Sequence, residues 1–272
     1  MIVDGRALAA EILARTKARA ARLPHPPKVV AMVANETLAT QSYLKIKTAR
    51  AADAGCVFEM RPLGADYADA DAVIVQLPLP IDVDAKTVLD AIPLEKDADM
   101  LSSAARTAFE AAKVDIGCPL LPPVVGAVQA ILESLYGKPL DWARGKRAVV
   151  VGEGFLVGAP VAVWFRQQSA EVTVVNDTTD NLAPILRSAD IIVSGAGSPG
   201  LITPDMLKNG VVLIDAGTSE SGGKLVGDAD PACAPKCALF TPVPGGVGPI
   251  AVAKLFENVV TLAERKNVER VV

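Results

Sequence analysis

Tyr43 and Lys47 stand four residues apart, so on a helix they share one face. A phenol beside an amine can orient a bound molecule and exchange protons with it. The same pair also suits the exposed face of an Ala-rich helix. Gln76 closes the apolar run Ala72–Gln76, at the carboxyl edge where open α/β sheets place their ligands. A glutamine buried there needs a polar partner. Asp99 ends the stretch Lys96-Asp97-Ala98-Asp99, which read alone is a loop charge.

A second group of residues works through backbone rather than side chains. Gly152, Gly154 and Gly158 follow the apolar run Ala148–Val151 and precede a helical stretch. In a dinucleotide-binding turn the first glycine permits the turn and the second lets backbone approach a pyrophosphate. The third packs helix against strand. A tight βα turn without ligand has the same order. Asp177 lies 25 positions after Gly152 (177 − 152), near where a carboxylate would hold a ribose 2′-OH. Such a carboxylate disfavours a 2′-phosphate and therefore points to NAD rather than NADP; a solvated turn aspartate fits the position equally. Thr241–Ile250 packs three prolines and three glycines into ten residues, including Pro244, Gly245 and Gly246. It suits close approach of backbone to a flat ligand, or a tight strand-to-helix turn.

These residues need elements to hold them. The chain has 272 residues, enough for two domains, and is 51% hydrophobic but only 4% aromatic. A core of Val, Ile, Leu and Ala suits buried parallel sheets. Gly5–Leu23 is expected as an amphipathic helix through Leu8, Ile12 and Ala20, broken by His25-Pro26-Pro27. A buried strand over Lys28–Val33 follows. Thr40 is the expected cap of a helix running to about Asp53, with Gly55 as its stop. After the Ala72–Gln76 strand come a helix around Ala127–Leu135 and a connection at Leu140–Lys146. Further strands are expected at Ala148–Val151, Val172–Val175, Ile191–Ser194 and Val211–Ile214, with helical stretches between. A last helix covers roughly Ala251–Arg265. Alternating strands and helices give two βαβ-type α/β domains with an active-site cleft between them, the second Rossmann-like.

Composition also excludes. A net charge of −4 and a pI near 5.2 argue against a nucleic-acid partner. No apolar run approaches the roughly 18 residues of a membrane span, and the start lacks a signal-peptide pattern. Cys56, Cys118, Cys233 and Cys237 form no CxxC pair, and His25 is the sole histidine, so no metal site is expected. The chain reads as cytoplasmic with reduced thiols.

Together the residues resemble the bifunctional methylenetetrahydrofolate dehydrogenase/methenyltetrahydrofolate cyclohydrolase family. The resemblance runs from Asp4-Gly5 and Thr40-x-x-Tyr43-x-x-x-Lys47 through Gln76-Leu-Pro-Leu-Pro80 and Lys96-Asp97-x-Asp99. It continues to the glycine turn, Ile214-Asp215-Ala-Gly217, Gly227-Asp228 and Thr241–Pro249. It implies oxidation of 5,10-methylenetetrahydrofolate with a nicotinamide cofactor and hydrolysis to 10-formyltetrahydrofolate. Lys47 and Gln76 would serve the cyclohydrolase step, Tyr43 would stack on or orient the folate, and Asp99 would hydrogen-bond the pterin. Pro244, Gly245 and Gly246 would close over the folate beside the nicotinamide. The implied division is a folate-binding catalytic domain over 1–120, with the helix at 251–272 packing back on it. A nucleotide-binding domain would cover 121–250, and the resemblance suggests a homodimer.

The departures from the family pattern gather at the nucleotide side. Glu153, Gly154 and Ala159 replace two arginines and a serine, and Asn176-Asp177-Thr178-Thr179 replaces His-Ser-basic-Thr. Met100 stands at a usual glycine, Ala251 at a usual threonine, and Pro119-Leu-Leu-Pro-Pro123 at a usual Pro-Cys-Thr-Pro. Tyr43, Lys47, Gln76 and Asp99 are all retained. An NAD-preferring dehydrogenase/cyclohydrolase is the leading expectation. The alternative is a tetrahydrofolate-dependent one-carbon enzyme whose nucleotide site is lost or repurposed, either a cyclohydrolase alone or a transferase of another one-carbon group. A non-catalytic folate-binding protein is the third reading.

Overall fold

The uninterrupted apolar runs form parallel strands buried on both faces. A computed structural model of the chain describes residues 1–34, 37–111, 120–137 and 143–269. Cys118, Pro119 and the start of the expected Leu140–Lys146 connection lie outside those residues.

The elements in chain order are α1 (Gly5–Ala20), β1 (Lys28–Val33), α2 (Leu38–Asp53), β2 (Val57–Pro62), β3 (Ala72–Val75), α3 (Ala85–Asp90) and α4 (Ser103–Ala111). There follow α5 (Pro123–Tyr136), β4 (Arg147–Val151), α6 (Gly158–Gln167), β5 (Glu171–Val175), α7 (Leu182–Ser188), β6 (Ile191–Ser194) and β7 (Val211–Asp215). The short hairpin β8 (Ser219–Ser221) and β9 (Lys224–Val226) precedes β10 (Cys237–Phe240) and α8 (Val247–Glu269). The chain divides into two compact units. The first holds residues 9–111, 120–123 and 252–269, and the second holds residues 1–8, 124–137 and 143–251.

In the first unit a parallel sheet has the order β2-β1-β3. β3 is buried at every position and β1 at its four central ones, as βαβ crossovers covering both faces require. Val30, Met32, Val73 and Val75 pack there with Leu89 and Ile92. β2 was not anticipated. Its sequence VFEMRP alternates apolar with charged residues, and it is an edge strand with much of its length exposed.

In the second unit five parallel strands run in the order β10-β7-β6-β4-β5. β4 leads by α6 to β5 on one side, and the chain then returns to β6 on the other. The strand order therefore reverses at β4, which is where open α/β sheets bind ligands. The strand ends are in step, with Val151 opposite both Val175 and Ser194, and Ser194 opposite Asp215. The loops after β4, β5, β6 and β7 consequently open at one edge.

Two helix starts differ from expectation. α2 is capped by Thr37, whose side chain accepts from the Thr40 backbone N–H at 3.1 Å. Thr40 instead lies buried in the first turn, three residues on. Both are threonines, so residue type alone could not separate the N-cap from the first turn. Gly55 does stop the helix, in the left-handed conformation at φ 75°. α8 begins at Val247, so Gly248 and Pro249 are its first turn rather than loop. Proline is tolerated there because the first N–H groups of a helix lack intrahelical acceptors.

Candidate active site

α2 carries Tyr43 and Lys47 on one face, beside a stripe anchored by the buried Leu44. β3 ends at Val75, and the next residue, Gln76, still receives a strand-like backbone bond, its N–H donating to Met32 O at 2.9 Å. Its side chain is therefore held at the sheet's carboxyl edge, 6% exposed. The Lys47 ammonium donates to Gln76 Oε1 at 3.1 Å, while Gln76 Nε2 donates to Leu77 O at 2.7 Å. Lysine can only donate, so this pairing fixes which end of the amide faces it. The glutamine's partner is thus the lysine.

Asp99 joins the same group. Burial pushes its carboxyl above the usual carboxylate range; the nearby Lys47 charge opposes that, and Asp97 adds to it. Among the described residues its carboxylate makes no hydrogen bond. The group thus gathers an amine held by an amide and a desolvated carboxyl. Tyr43 is on the same helix face but half-exposed, and nothing ties its hydroxyl to the other three.

In the second unit the glycine turn follows β4. Gly152 adopts φ 95°, in the left-handed half of conformational space, and its N–H donates to Val175 O at 2.7 Å. A Cβ on Gly158 would lie 1.9 Å from Gly152 O, so α6 starts directly against the turn. Gly154 has room around it, its nearest neighbour being Gly195 O at 3.9 Å from an added Cβ. The N-cap of α6 is Val157, which offers no side-chain cap among the described residues. The first-turn N–H groups and the positive end of the helix dipole suit an anionic pyrophosphate. The three glycines thus have the geometry a dinucleotide fold needs.

What flanks the turn is acidic. Asn176 Nδ2 donates to the Glu153 carboxylate, linking the turn after β4 to the end of β5. Asn176 Oδ1 in turn accepts from the Thr178 N–H at 3.0 Å and the Thr178 hydroxyl at 2.7 Å. Asp177 is exposed on this tight turn, without a hydrogen bond to the described residues. Sequence reading placed Glu153 and Asn176 separately; the contact between them was not visible, because only the pairing of β4 with β5 brings them together.

The Pro-Gly loop is also in the second unit. Gly245 has φ 107°, and a Cβ on Gly246 would lie 2.6 Å from Pro242 O. The Asp4-Gly5 motif packs against this loop: Gly5 N–H donates to Gly245 O at 3.0 Å, and a Gly5 Cβ would meet Gly246 O at 1.9 Å. Asp4 caps the first turn of α1 through Arg6 and Ala7 N–H.

The motifs Asp215-Ala-Gly217 and Gly227-Asp228 interlock. Asp215 accepts from Gly217 N–H at 2.9 Å and Ala229 N–H at 2.8 Å. Asp228 accepts from Ser194 Oγ at 2.6 Å and from Ala196 and Ser198 N–H, both at 2.8 Å. A Cβ on Gly217 would strike the Asp228 carboxylate at 2.2 Å, and one on Gly227 would strike Asp215 Oδ2 at 2.1 Å. Burial pushes the Asp215 carboxyl up to about 6, against the lowering effect of its backbone donors and with a further raising contribution from Asp228. These carboxylates shape the loops after β6 and β7 and had no assigned role from sequence.

Among the described residues no helix is long and apolar enough to cross a membrane, and no group of three His, Cys, Asp or Glu could hold a metal ion.

Comparison with known proteins agrees with this geometry. Residues 3–99 match the family model of the tetrahydrofolate dehydrogenase/cyclohydrolase catalytic domain, and residues 124–267 that of its NAD(P)-binding domain. The bifunctional protein FolD of Cupriavidus metallidurans is 38% identical, with 97% of each chain covered. That of Moorella thermoacetica is 36% identical, covering 97% of this chain and 99% of its own. Among solved structures, the FolD methylenetetrahydrofolate dehydrogenase/cyclohydrolase of Campylobacter jejuni superposes with a TM-score of 0.89 at 28% identity, covering 98% of this chain and 99% of that one. The Trypanosoma brucei enzyme, complexed with NADP cofactor and inhibitor, does so with a TM-score of 0.87 at 31% identity and 98% coverage of both.

Proposed function

The chain belongs to the tetrahydrofolate dehydrogenase/cyclohydrolase family, and on that premise we propose that it oxidises 5,10-methylenetetrahydrofolate and hydrolyses the resulting methenyl form to 10-formyltetrahydrofolate. The observation that carries this reading is the 3.1 Å contact between Lys47 Nζ and Gln76 Oε1 beside the desolvated Asp99. We assign the folate-binding catalytic role to the first unit and nucleotide binding to the second.

In the hydrolytic step, water attacks the cationic methenyl carbon and must lose a proton as it does so. Lys47 would accept that proton as the general base. Gln76 would hold the amine in place. The bond from that carbon to N5 then breaks as the new hydroxyl gives up its proton to form the carbonyl and N5 takes one up, leaving the formyl group on N10. Asp99 would accept hydrogen bonds from the donor-rich edge of the pterin, and Tyr43 would stack on or orient the folate. Pro244, Gly245 and Gly246 would face the folate with backbone groups.

The residues present fit a nicotinamide dinucleotide. Gly152, Gly154 and Gly158 put no side chain at three positions of the turn, and the start of α6 offers N–H groups to the pyrophosphate. Nicotinamide, when bound, supplies the acceptor for the hydride that leaves the methylene carbon, and the protein's part is alignment. NAD is the preferred form on this reading. Glu153 and Asp177 set carboxylates where a 2′-phosphate would need cations, and neither Gly152–Pro160 nor Asn176–Asp180 contains a lysine or arginine. A homodimer in the cytoplasm completes the proposal.

The test is turnover of 5,10-methylenetetrahydrofolate with NAD and with NADP in parallel, followed by absorbance, together with hydrolysis of added methenyltetrahydrofolate. Methenyl product with NAD and little with NADP is expected. Equal or better turnover with NADP overturns the cofactor assignment. Hydrolysis without oxidation by either cofactor would mean that the nucleotide site no longer serves a dehydrogenase. Size-exclusion chromatography with light scattering checks the dimer.

A further inference from the structure

We infer that Asn258, in the middle of α8, is a positioning residue for Asp99. The side chain is 7% exposed, and its amide nitrogen donates to two backbone carbonyls, Ala98 O at 2.9 Å and Leu121 O at 2.8 Å. Only the nitrogen end of the amide can satisfy two carbonyl acceptors, so the orientation is unambiguous. Ala98 is fully buried and immediately precedes Asp99. Asn258 therefore fixes the peptide from which the Asp99 side chain departs.

The remainder of this strap is held by its own groups. The buried Asp97 carboxylate accepts from Ser102 N–H at 2.8 Å and from Leu101 N–H at 3.3 Å. Asp97 also bridges Val73 of β3, and the Ser102 hydroxyl accepts from Ala105 N–H at the start of α4. Met100, next to Asp99 on the other side, is buried with φ 59°, a left-handed conformation that a side chain other than glycine's adopts only under constraint. The Asp99 carboxylate itself has no hydrogen bond among the described residues. Its direction is thus set by the backbone on either side, and among the described residues Asn258 is the side chain that hydrogen-bonds the peptide preceding it. Displacement of a binding group by about 1 Å can cost on the order of a hundredfold in rate.

The inference rests on the folate reading only for the identity of the ligand that Asp99 meets. Its test uses the full chain and four proteins: wild type, Asn258→Ala, Asp99→Asn and the double variant. The KM for methenyltetrahydrofolate hydrolysis is expected to rise about tenfold in Asn258→Ala, with the KM for the nicotinamide cofactor unchanged. Because the two residues act through one group, the double variant should be no worse than Asp99→Asn by more than roughly twofold. Losses that multiply, or an Asn258→Ala variant whose melting temperature falls while its KM does not move, would overturn the proposal. Should Asn258→Ala not fold, Asn258→Gln and its double variant with Asp99→Asn carry the same cycle. A readout independent of ligand is the 13C titration of the Asp99 carboxyl, which faces Lys47 and Asp97. It is expected to shift in Asn258→Ala, and an unchanged titration counts against the proposal even if the protein proves not to bind folate.

Discussion

The two units build their polar sites in opposite ways. In the first, the site we propose is made of side chains: an amine, an amide and a carboxyl, each delivered from a different element. In the second, the surface we assign to the dinucleotide is mostly backbone, and a Cβ on Gly152 or Gly158 there would strike a carbonyl. The difference teaches what each kind of site can tolerate. A side-chain site loses its chemistry with one substitution. A backbone site keeps its shape while its rim changes, so Glu153 can stand where the family pattern has an arginine, beside an intact turn. Retention on one side and drift on the other is what those physical constraints allow.

The most severe test of this contrast is Lys47→Met. Methenyltetrahydrofolate hydrolysis should fall about 10²- to 10⁴-fold, the usual range for a lost general acid or base, while dinucleotide binding measured by calorimetry stays as in wild type. A loss under about threefold would move the hydrolytic chemistry away from this side-chain group. Gly158→Ala probes the other unit. With a Cβ 1.9 Å from Gly152 O the turn must shift, and overpacking of about 1–3 kcal/mol corresponds to dinucleotide affinity weaker by roughly five- to 150-fold. Hydrolysis, which needs no dinucleotide, should survive. Parallel loss of both activities would show that the two sites are not separable.

Smaller in effect is Glu153→Arg, which should raise the NADP-to-NAD ratio of kcat/KM by about tenfold in steady-state assays and also free Asn176 from its present partner. An unchanged ratio would leave Asp177 as the discriminating carboxylate. The subtlest is titration. 13C NMR should place Asp215 near its expected value of about 6, whereas Asp90, held by the Lys86 ammonium and by Ser103, should titrate down at about 2. The signs of their contributions to stability are opposite. Asp215 is raised, so its contribution is full below the unfolded carboxylate value and fades as pH rises through about 6. Asp90 is lowered, so its contribution is present above that value and is lost as pH falls toward about 2.

Much of the fold was legible because its strands are the chain's apolar runs: β1 and β6 fall on the residues that periodicity marks, and β4, β5 and β7 extend the marked runs by one residue. Two of the four edge strands of the parallel sheets, β2 and β10, were not legible. β2 alternates like an exposed strand or a loop, and β10 has four residues, CALF, too few to show a period. In the site, Gln76 could be seen to need a polar partner because it closes a buried sheet edge, and the family resemblance supplied Lys47 as its companion. Asn258 could not. An asparagine inside a helix looks like surface until the carbonyls opposite it are known, and these come from segments 160 and 137 positions away. The Glu153–Asn176 contact was hidden for the same reason, since strand pairing and not spacing creates it.

The interlocked carboxylates after β6 and β7 have a historical consequence. Each of Asp215 and Asp228 occupies the space that a side chain would need at Gly227 and Gly217 respectively. A lone change at either glycine meets a carboxylate, and a lone change at either aspartate strands two or three donors. Drift through single steps is therefore closed at all four positions, so lineages that abandoned one of them should have replaced its partner as well. In descendants of this fold the two pairs should be inherited, or lost, together.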